Sequence, residues 1–314
     1  MSGAIAPHPS PPPPPPGRPG LASDLFEMAK PGITALICLV AVGGFFLADP
    51  SSIDWIALAL LVVTGAAASA GAAMLNHYLD RDLDARMRRT RGRPLPDERI
   101  APSAVAAGLG LVLLGGGIAA ASIFLNLLTG FSILLGGLTY VVVYTLWLKR
   151  RSSWNIVIGG FAGSAPALAG SAAALGHWTL GALAFALLVF LWTPPHFWSL
   201  ALVLKDDYAR AGLPMLPRMD DPAYSGKVVV VSAALLVPAA LLIGWTGSVA
   251  WPVLLALVAL GVGFVVVTLP LWRTFSPRIA RRGFIYSGPY LLFVVLAILA
   301  NAPLLRFGLV GPGL

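Results

Sequence analysis

A single cysteine, Cys38, stands in 314 residues, so the chain has no disulfide framework and no cysteine-based metal site. Charge is nearly as scarce. Asp, Glu, Lys and Arg make up 11% of the residues against 58% hydrophobic ones, a balance that excludes a water-soluble domain of this length. Acids are fewer than bases, 13 against 21, for a formal net charge of +8. Histidine occurs four times, so each one can be weighed singly. The N-terminal segment shows neither an apolar signal core nor an Arg-rich amphipathic helix. Its stretch HPSPPPPPPGRPG is a proline run with fixed φ and few donors, and residues 1–29 are expected to form an extended, disordered tail.

What is abundant is long apolar sequence. A membrane helix needs about 20 mostly apolar residues to cross roughly 30 Å of hydrocarbon. Nine stretches meet this, at 32–48, 55–76, 101–121, 128–148, 154–175, 179–203, 227–246, 250–272 and 285–303, with the long run from Ala101 to Leu148 divided near Asn126. The fold class expected is therefore an all-α polytopic membrane protein, nine transmembrane helices around a central cavity that opens to the cytoplasmic side. Residues 30–304 form its single domain, and 305–314 a short C-terminal tail.

Lys and Arg concentrate in short cytoplasmic loops. With the N-terminus inside, nearly all of the basic residues fall on the inner side, among them Lys30, the arginines from Arg81 to Arg99, the Lys149-Arg150-Arg151 run, Lys205 and the group Arg278, Arg281 and Arg282, while Arg306 is left outside. A bacterial plasma (inner) membrane is expected, with the N-terminus cytoplasmic and the C-terminus on the outer side. The positive charge then reflects orientation and the anionic lipid bilayer, not nucleic acid.

The stretch AMLNHYLDRDLDARMRRTRGRPLP, residues 73–96, breaks the apolar pattern. Asn76, Asp80 and Asp84 recur every fourth residue and, at about 100° per residue, share a sector of about 80° on a helix. Asp82 points about 200° from Asp80 and is expected to pair with an arginine. A solvated helix end with acids paired to arginines has the same spacing. Hard oxygen donors beside many arginines nevertheless suit Mg²⁺, which takes one or two carboxylates and completes its shell with substrate phosphate oxygens. Asn76, Asp80 and Asp84 are thus candidate ligands of a metal-diphosphate site. The sixth span ends on the same face with LVLKDDYARAGLPMLP, where Asp206 and Asp207 form a second acidic cluster.

The N-x-x-x-D-x-x-x-D array followed by R-x-R-P-L-P resembles the first aspartate-rich motif of the UbiA-type intramembrane aromatic prenyltransferases. YTLWLKRRSSWNIVIGG, WTPPHFWSLAL and DDYARAGLPMLP are similar to the pattern of one branch, the protohaem IX farnesyltransferases, and the resemblance runs from about Lys30 to Tyr290. It implies transfer of a farnesyl group from farnesyl diphosphate to a vinyl group of protohaem IX, with water addition, giving haem O. It implies Mg²⁺ as cofactor, and a downstream haem A synthase or terminal oxidase assembly proteins as partners. Loss of diphosphate needs charge neutralisation, for which the candidate cations are Lys149, Arg150, Arg86 and Arg93. The second motif departs from the wider D-x-x-x-D pattern and reads L-K-D-D-Y over Leu204–Tyr208. Asp207 is the candidate there for a second metal, with Lys205 and Tyr208 as diphosphate contacts. The catalytic set expected is Asp80, Asp84, Asp207 and Lys149.

A polar side chain within a membrane segment is a functional candidate. His196 and His77 are the candidate porphyrin-binding residues. Asp207 would lie nearly in line with His196, about 16 Å further along a continuing helix. His196 can also be read as a core histidine bonded to a carbonyl freed by Pro194 and Pro195, and His77 as a polar neighbour of the metal site. Trp192, Phe197 and Trp198 read as packing, and Gly159, Gly160, Gly163 and Ser164 as sites of close helix approach. Two other functions fit part of the pattern: a prenyltransferase with a phenolic quinone-precursor acceptor, and a cation or lipid-diphosphate transporter. All 13 acids fall at or beyond span ends, eleven of them on the inner side, which suits a one-sided site better than a conduit.

Overall fold

The computed structural model describes residues 19–214 and 221–306. Among these residues nine helices are long and apolar enough to cross a membrane, so the chain is a multi-pass membrane protein. In chain order the helices are α1 (Leu21–Met28), α2 (Pro31–Ala48), α3 (Trp55–Arg86), α4 (Ala104–Phe124), α5 (Leu127–Leu138), α6 (Asn155–Gly159), α7 (Phe161–Leu175), α8 (Leu180–Val203), α9 (Lys205–Ala211), α10 (Pro222–Ala234), α11 (Leu236–Trp245), α12 (Trp251–Thr268), α13 (Pro277–Leu299) and α14 (Asn301–Arg306). α5 runs on through π-helical turns at Thr139–Leu148.

The break expected near Asn126 is present, and its cause is local. Asn126 is extended at φ −164°, its Oδ1 accepts from the Thr129 backbone N–H at 2.8 Å, and its Nδ2 donates to the Ala172 carbonyl at 2.8 Å. The side chain thus caps α5 and ties it to α7. Two spans begin earlier than their apolar runs. α10 starts at Pro222 and α13 at Pro277, because proline suits the first helical turn and polar residues at a span end stay helical once nucleated. Arg278, Arg281 and Arg282 accordingly lie on the first turns of α13.

The tail expected over residues 1–29 is shorter at its inner end, since Leu21–Met28 are helical. Arg99 holds this helix down. Its guanidinium reaches Asp24 at 2.5 Å, Glu27 at 3.3 Å and Asp97 at 3.3 Å, and donates to the Gly92 carbonyl at 2.9 Å. The proline run up to Arg18, residues 215–220 and residues 307–314 lie outside the described residues.

Small residues set the closest helix approaches, as they do where lipid gives no hydrophobic drive between helices. A Cβ on Gly44 of α2 would strike the Ala167 carbonyl of α7, and one on Gly170 of α7 would strike the Ala41 carbonyl of α2. Gly71 of α3 meets α4 at Gly110 in the same way. The main core lies among α2, α7, α8, α11, α12 and α13, around Phe185, Leu188, Leu236, Phe264 and Tyr290. A second core, around Leu83, Met87, Ile156, Tyr208 and Leu213, closes the end of the bundle where α3 and α9 finish. The two acidic clusters therefore share one end of the molecule.

Candidate active site

Asn76, Asp80 and Asp84 form one buried face at the end of α3, while Asp82 points outward. Arg150 holds Asp82 from outside with contacts of 2.7 and 2.9 Å and also donates to the Leu79 carbonyl at 2.7 Å. This is the partition that the helical angle predicts. The buried face is met by cations from three other segments. Lys149, at the end of the π-helical turns, donates to Asp80 Oδ2 at 2.5 Å. Arg93 donates to Asp84 Oδ2 at 2.7 Å. Lys30 donates to Asn76 Oδ1 at 2.6 Å and to the Tyr140 hydroxyl at 3.0 Å. Asn76 in turn donates to Asp80 Oδ2 at 2.7 Å and to Thr145 Oγ at 3.0 Å.

Local backbone explains how two of these groups arrive. Lys30 has φ +47° and ψ +62° directly before Pro31, a left-handed conformation that is costly for a residue with Cβ and worse ahead of proline. The turn swings its side chain under α2 into the bundle. Burial, with Arg93 and Lys149 nearby, lowers its pKa to about 7. The π-helical turns carry Tyr140 and Tyr144, stacked at 6.0 Å, and bring the Lys149 N–H to the Tyr144 carbonyl at 2.8 Å. Such widened turns recur at functional sites because they rotate side chains out of the α-helical register. Gly159 makes room here, since a Cβ on it would come within 2.6 Å of the Tyr144 ring.

From this polar end a cavity of about 580 Å³ extends between α2, α3, α5, α7 and α8. Lys30, Asn76, Asp84, Arg89, Arg93, Tyr140, Tyr144 and Lys149 line its polar mouth, and Ile37, Ala41, Leu61, Ala68, Ile133 and Ala169 line its apolar depth. On another wall stand Trp192, Thr193, His196 and Phe197 of α8, with Phe284 of α13 and Tyr208 of α9. A polar rim leading to an apolar chamber suits an amphiphile with an anionic head and a hydrocarbon body.

Several expected site residues lie elsewhere. Arg86 is exposed on the outer face of α3. Arg150 is engaged with Asp82 and lies 3.9 Å from Asp80 Oδ1; neither Arg150 nor Asp80 lines the cavity, which Asn76 and Asp84 reach. Lys205 is exposed beside the Phe275 ring, 5.8 Å from its centre. Asp207 pairs with Arg210 one turn along α9. The continuous helix expected from His196 to Asp207 is interrupted at Leu204, with φ −102° and ψ 21°, so the two side chains do not fall in line. His77 is buried, with Nδ1 lacking a partner, and is not on the cavity wall. His196 bonds through Nδ1 to Ser287 Oγ at 2.6 Å, not to a carbonyl freed by Pro194 or Pro195. The residues that sequence reasoning missed are Lys30, Tyr140, Tyr144, Arg89 and Ser287. Lys30 had one signal, a charge directly ahead of Pro31 at the head of a span, which reads equally well as topology.

The fit of a divalent cation rests on one orphan atom. Asp80 Oδ1 is buried without a hydrogen-bond partner, with Arg150 no closer than 3.9 Å. Among the described residues no three acids, histidines or cysteines gather as a closed metal cage. Two carboxylates, an amide oxygen and room for substrate oxygens match the open shell that Mg²⁺ prefers.

Comparison with known proteins identifies the family. A protohaem IX farnesyltransferase of Paramagnetospirillum magneticum is 41% identical over 278 residues, covering 88% of this chain and 96% of that one. A second, of Cenarchaeum symbiosum, is 38% identical over 286 residues, covering 90% and 96%. Among solved structures, a digeranylgeranylglyceryl phosphate synthase matches with a TM-score of 0.74 at 16% identity, over 90% of this chain and 98% of its own. A UbiA homologue of Archaeoglobus fulgidus bound to GPP and Mg²⁺ matches with a TM-score of 0.63 at 17% identity, over 88% and 99%. The model of the UbiA prenyltransferase family matches residues 36–288, and the chain is a member of that family.

Proposed function

We propose that this prenyltransferase carries a farnesyl group from farnesyl diphosphate to a vinyl carbon of protohaem IX and that water then completes a hydroxyethylfarnesyl side chain, giving haem O. The observation that carries the reading is a single cavity joining a cationic, carboxylate-bearing mouth to a wall bearing His196 between aromatic rings. The relatives above are named as protohaem IX farnesyltransferases, and the A. fulgidus homologue was solved bound to GPP and Mg²⁺.

In this reading Asn76, Asp80 and Asp84 would hold Mg²⁺. When bound, the ion supplies Lewis-acid neutralisation of the leaving diphosphate. Lys149, Arg93 and Lys30 release their bonds to the carboxylates and amide as diphosphate oxygens take their place, so their positive charge faces the oxygen on which charge develops. The allylic C–O bond breaks with its electron pair leaving on diphosphate, and the vinyl π pair forms the new C–C bond. Water adds to the resulting cation and loses a proton. Ile37, Ala41, Leu61 and Ala169 exclude water from the farnesyl chain before that last step. Asp207, paired with Arg210 through Oδ1, would offer its other oxygen to a second ion. The mouth is assigned to the cytoplasmic side, where the basic loops gather.

Mass analysis of haem extracted from cells that lack haem O, after expression of this chain, tests the reading. Appearance of hydroxyethylfarnesyl haem is expected. Unmodified haem together with a prenylated phenol would replace the acceptor.

A further inference from the structure

The bonds around His196 decide which of its ring nitrogens is free. Its Nδ1 lies 2.6 Å from Ser287 Oγ, and Ser287 Oγ lies 2.6 Å from the Phe284 carbonyl oxygen. A carbonyl oxygen only accepts, and a hydroxyl has one proton to give. The Ser287 proton therefore goes to Phe284. The remaining short contact is then made with the imidazole as donor, Nδ1–H to Ser287 Oγ. In a neutral ring this leaves a bare lone pair on Nε2, across the ring from Ser287. The tautomer follows from the network, and it is the one suited to bonding an electron-poor centre.

Further contacts fix the ring in place. His196 stacks on Trp192 with centroids 4.4 Å apart and planes 19° apart. Trp192 Nε1 donates to the Ser287 carbonyl at 2.9 Å. Ser287 thus grips both members of the stack, one through its hydroxyl and one through its backbone. Phe197 meets the ring edge-on and Phe284 is tilted against it, each at 5.0 Å. Ser287 is fully buried, and His196 forms part of the cavity wall.

We infer that Ser287 is a positioning residue for the acceptor: by accepting from Nδ1–H it holds His196 as the tautomer whose Nε2 lone pair is available to the iron of a metalloporphyrin. This rests on the protohaem reading above. Histidines that bind metal ordinarily donate their other N–H to such a partner, and loss of the partner weakens the bond about 10- to 100-fold.

The test titrates protohaem into the purified full chain and follows the Soret band in wild type, His196→Gln, Ser287→Ala and Ser287→Thr, with farnesyl diphosphate binding measured on the same samples. His196→Gln is expected to lose the histidine-ligated spectrum. Ser287→Ala is expected to weaken protohaem binding about ten-fold or more and to shift the band. Ser287→Thr restores both, and diphosphate binding stays at the wild-type level throughout. If His196→Gln binds protohaem with wild-type affinity and spectrum, the inference falls together with the assignment of His196 to the acceptor. If His196→Gln loses ligation while Ser287→Ala keeps it unchanged, the role of Ser287 alone falls. Because Ser287→Ala also removes a buried bond within α13, nitrogen-15 NMR of histidine-labelled wild type provides a measurement independent of that variant's folding. The His196 signals, identified by their loss in His196→Gln, are expected to show protonated Nδ1 and bare Nε2. Protonated Nε2 overturns the inference. Absence of any protohaem binding by wild type strikes the proposed acceptor, whereas the NMR result bears on the Ser287–His196 pair by itself.

Discussion

Two acidic clusters finish at the same end of the bundle, yet they differ in what surrounds them. At the end of α3, Asp80 and Asp84 are about 1% exposed as side chains, and their partners Lys149 and Arg93 come from other segments. On α9, Asp206 is exposed and Asp207 is satisfied by Arg210 of its own helix. The first cluster holds charge that the fold has removed from water and balanced with cations from distant segments. In the second, Asp206 stays in water and the partly buried Asp207 is paired within its own helix. A buried carboxylate is tolerable only while paired, so burial with partners from afar marks a site in a way that acid count does not.

The largest expected effect breaks the first cluster. Asp80→Asn or Asp84→Asn keeps the shape and removes the charge, and turnover in proteoliposomes should fall by about 10³-fold or more, with the protein still inserted. Wild-type turnover by either variant would remove the distinction between the clusters. Next come the cations: Lys149→Met and Lys30→Met should each lower turnover by about 10²-fold and weaken binding of farnesyl diphosphate, as measured by calorimetry. A Lys30 variant with unaltered binding would reduce that residue to a topology signal. Asp207→Asn sharpens the comparison, because its carboxylate already shares its charge with Arg210. A loss of about ten-fold is expected, and a loss matching that of Asp80→Asn would put both clusters on the same ion. Smallest is Asp82→Ala. An exposed ion pair contributes about 0.2–1 kcal/mol, so turnover should change by less than about five-fold.

Legibility from sequence followed the range of the forces involved. The apolar runs located all nine spans, although α3 runs on to Arg86 and α13 begins at Pro277, well outside them, and the fourfold spacing of Asn76, Asp80 and Asp84 separated them from Asp82, because both patterns are properties of one helix. Errors came where a helix was assumed to continue. The interruption at Leu204 turned Asp207 away from the line of His196, and no residue at that point is a helix breaker. Arg150 was misplaced for a related reason. It follows Lys149 directly in the turn that ends the π-helical stretch, where the two side chains diverge, one to Asp80 and the other outward to Asp82.

Hydropathy, basic-loop bias and the spacing of three polar residues were sufficient to set the number of spans, the end of the bundle where both acidic clusters gather and the face of α3 that bears Asn76, Asp80 and Asp84. They depend on contacts with solvent or lipid and on helical geometry, which each segment reads for itself. Only packing decided that Lys30 reaches Asn76 across 46 residues and Tyr140 across 110, and that Ser287 meets His196 across 91. Those pairings depend on helix contacts set by glycines such as Gly44 and Gly170, where a single methyl group would push two spans apart, and no periodicity within one span encodes them.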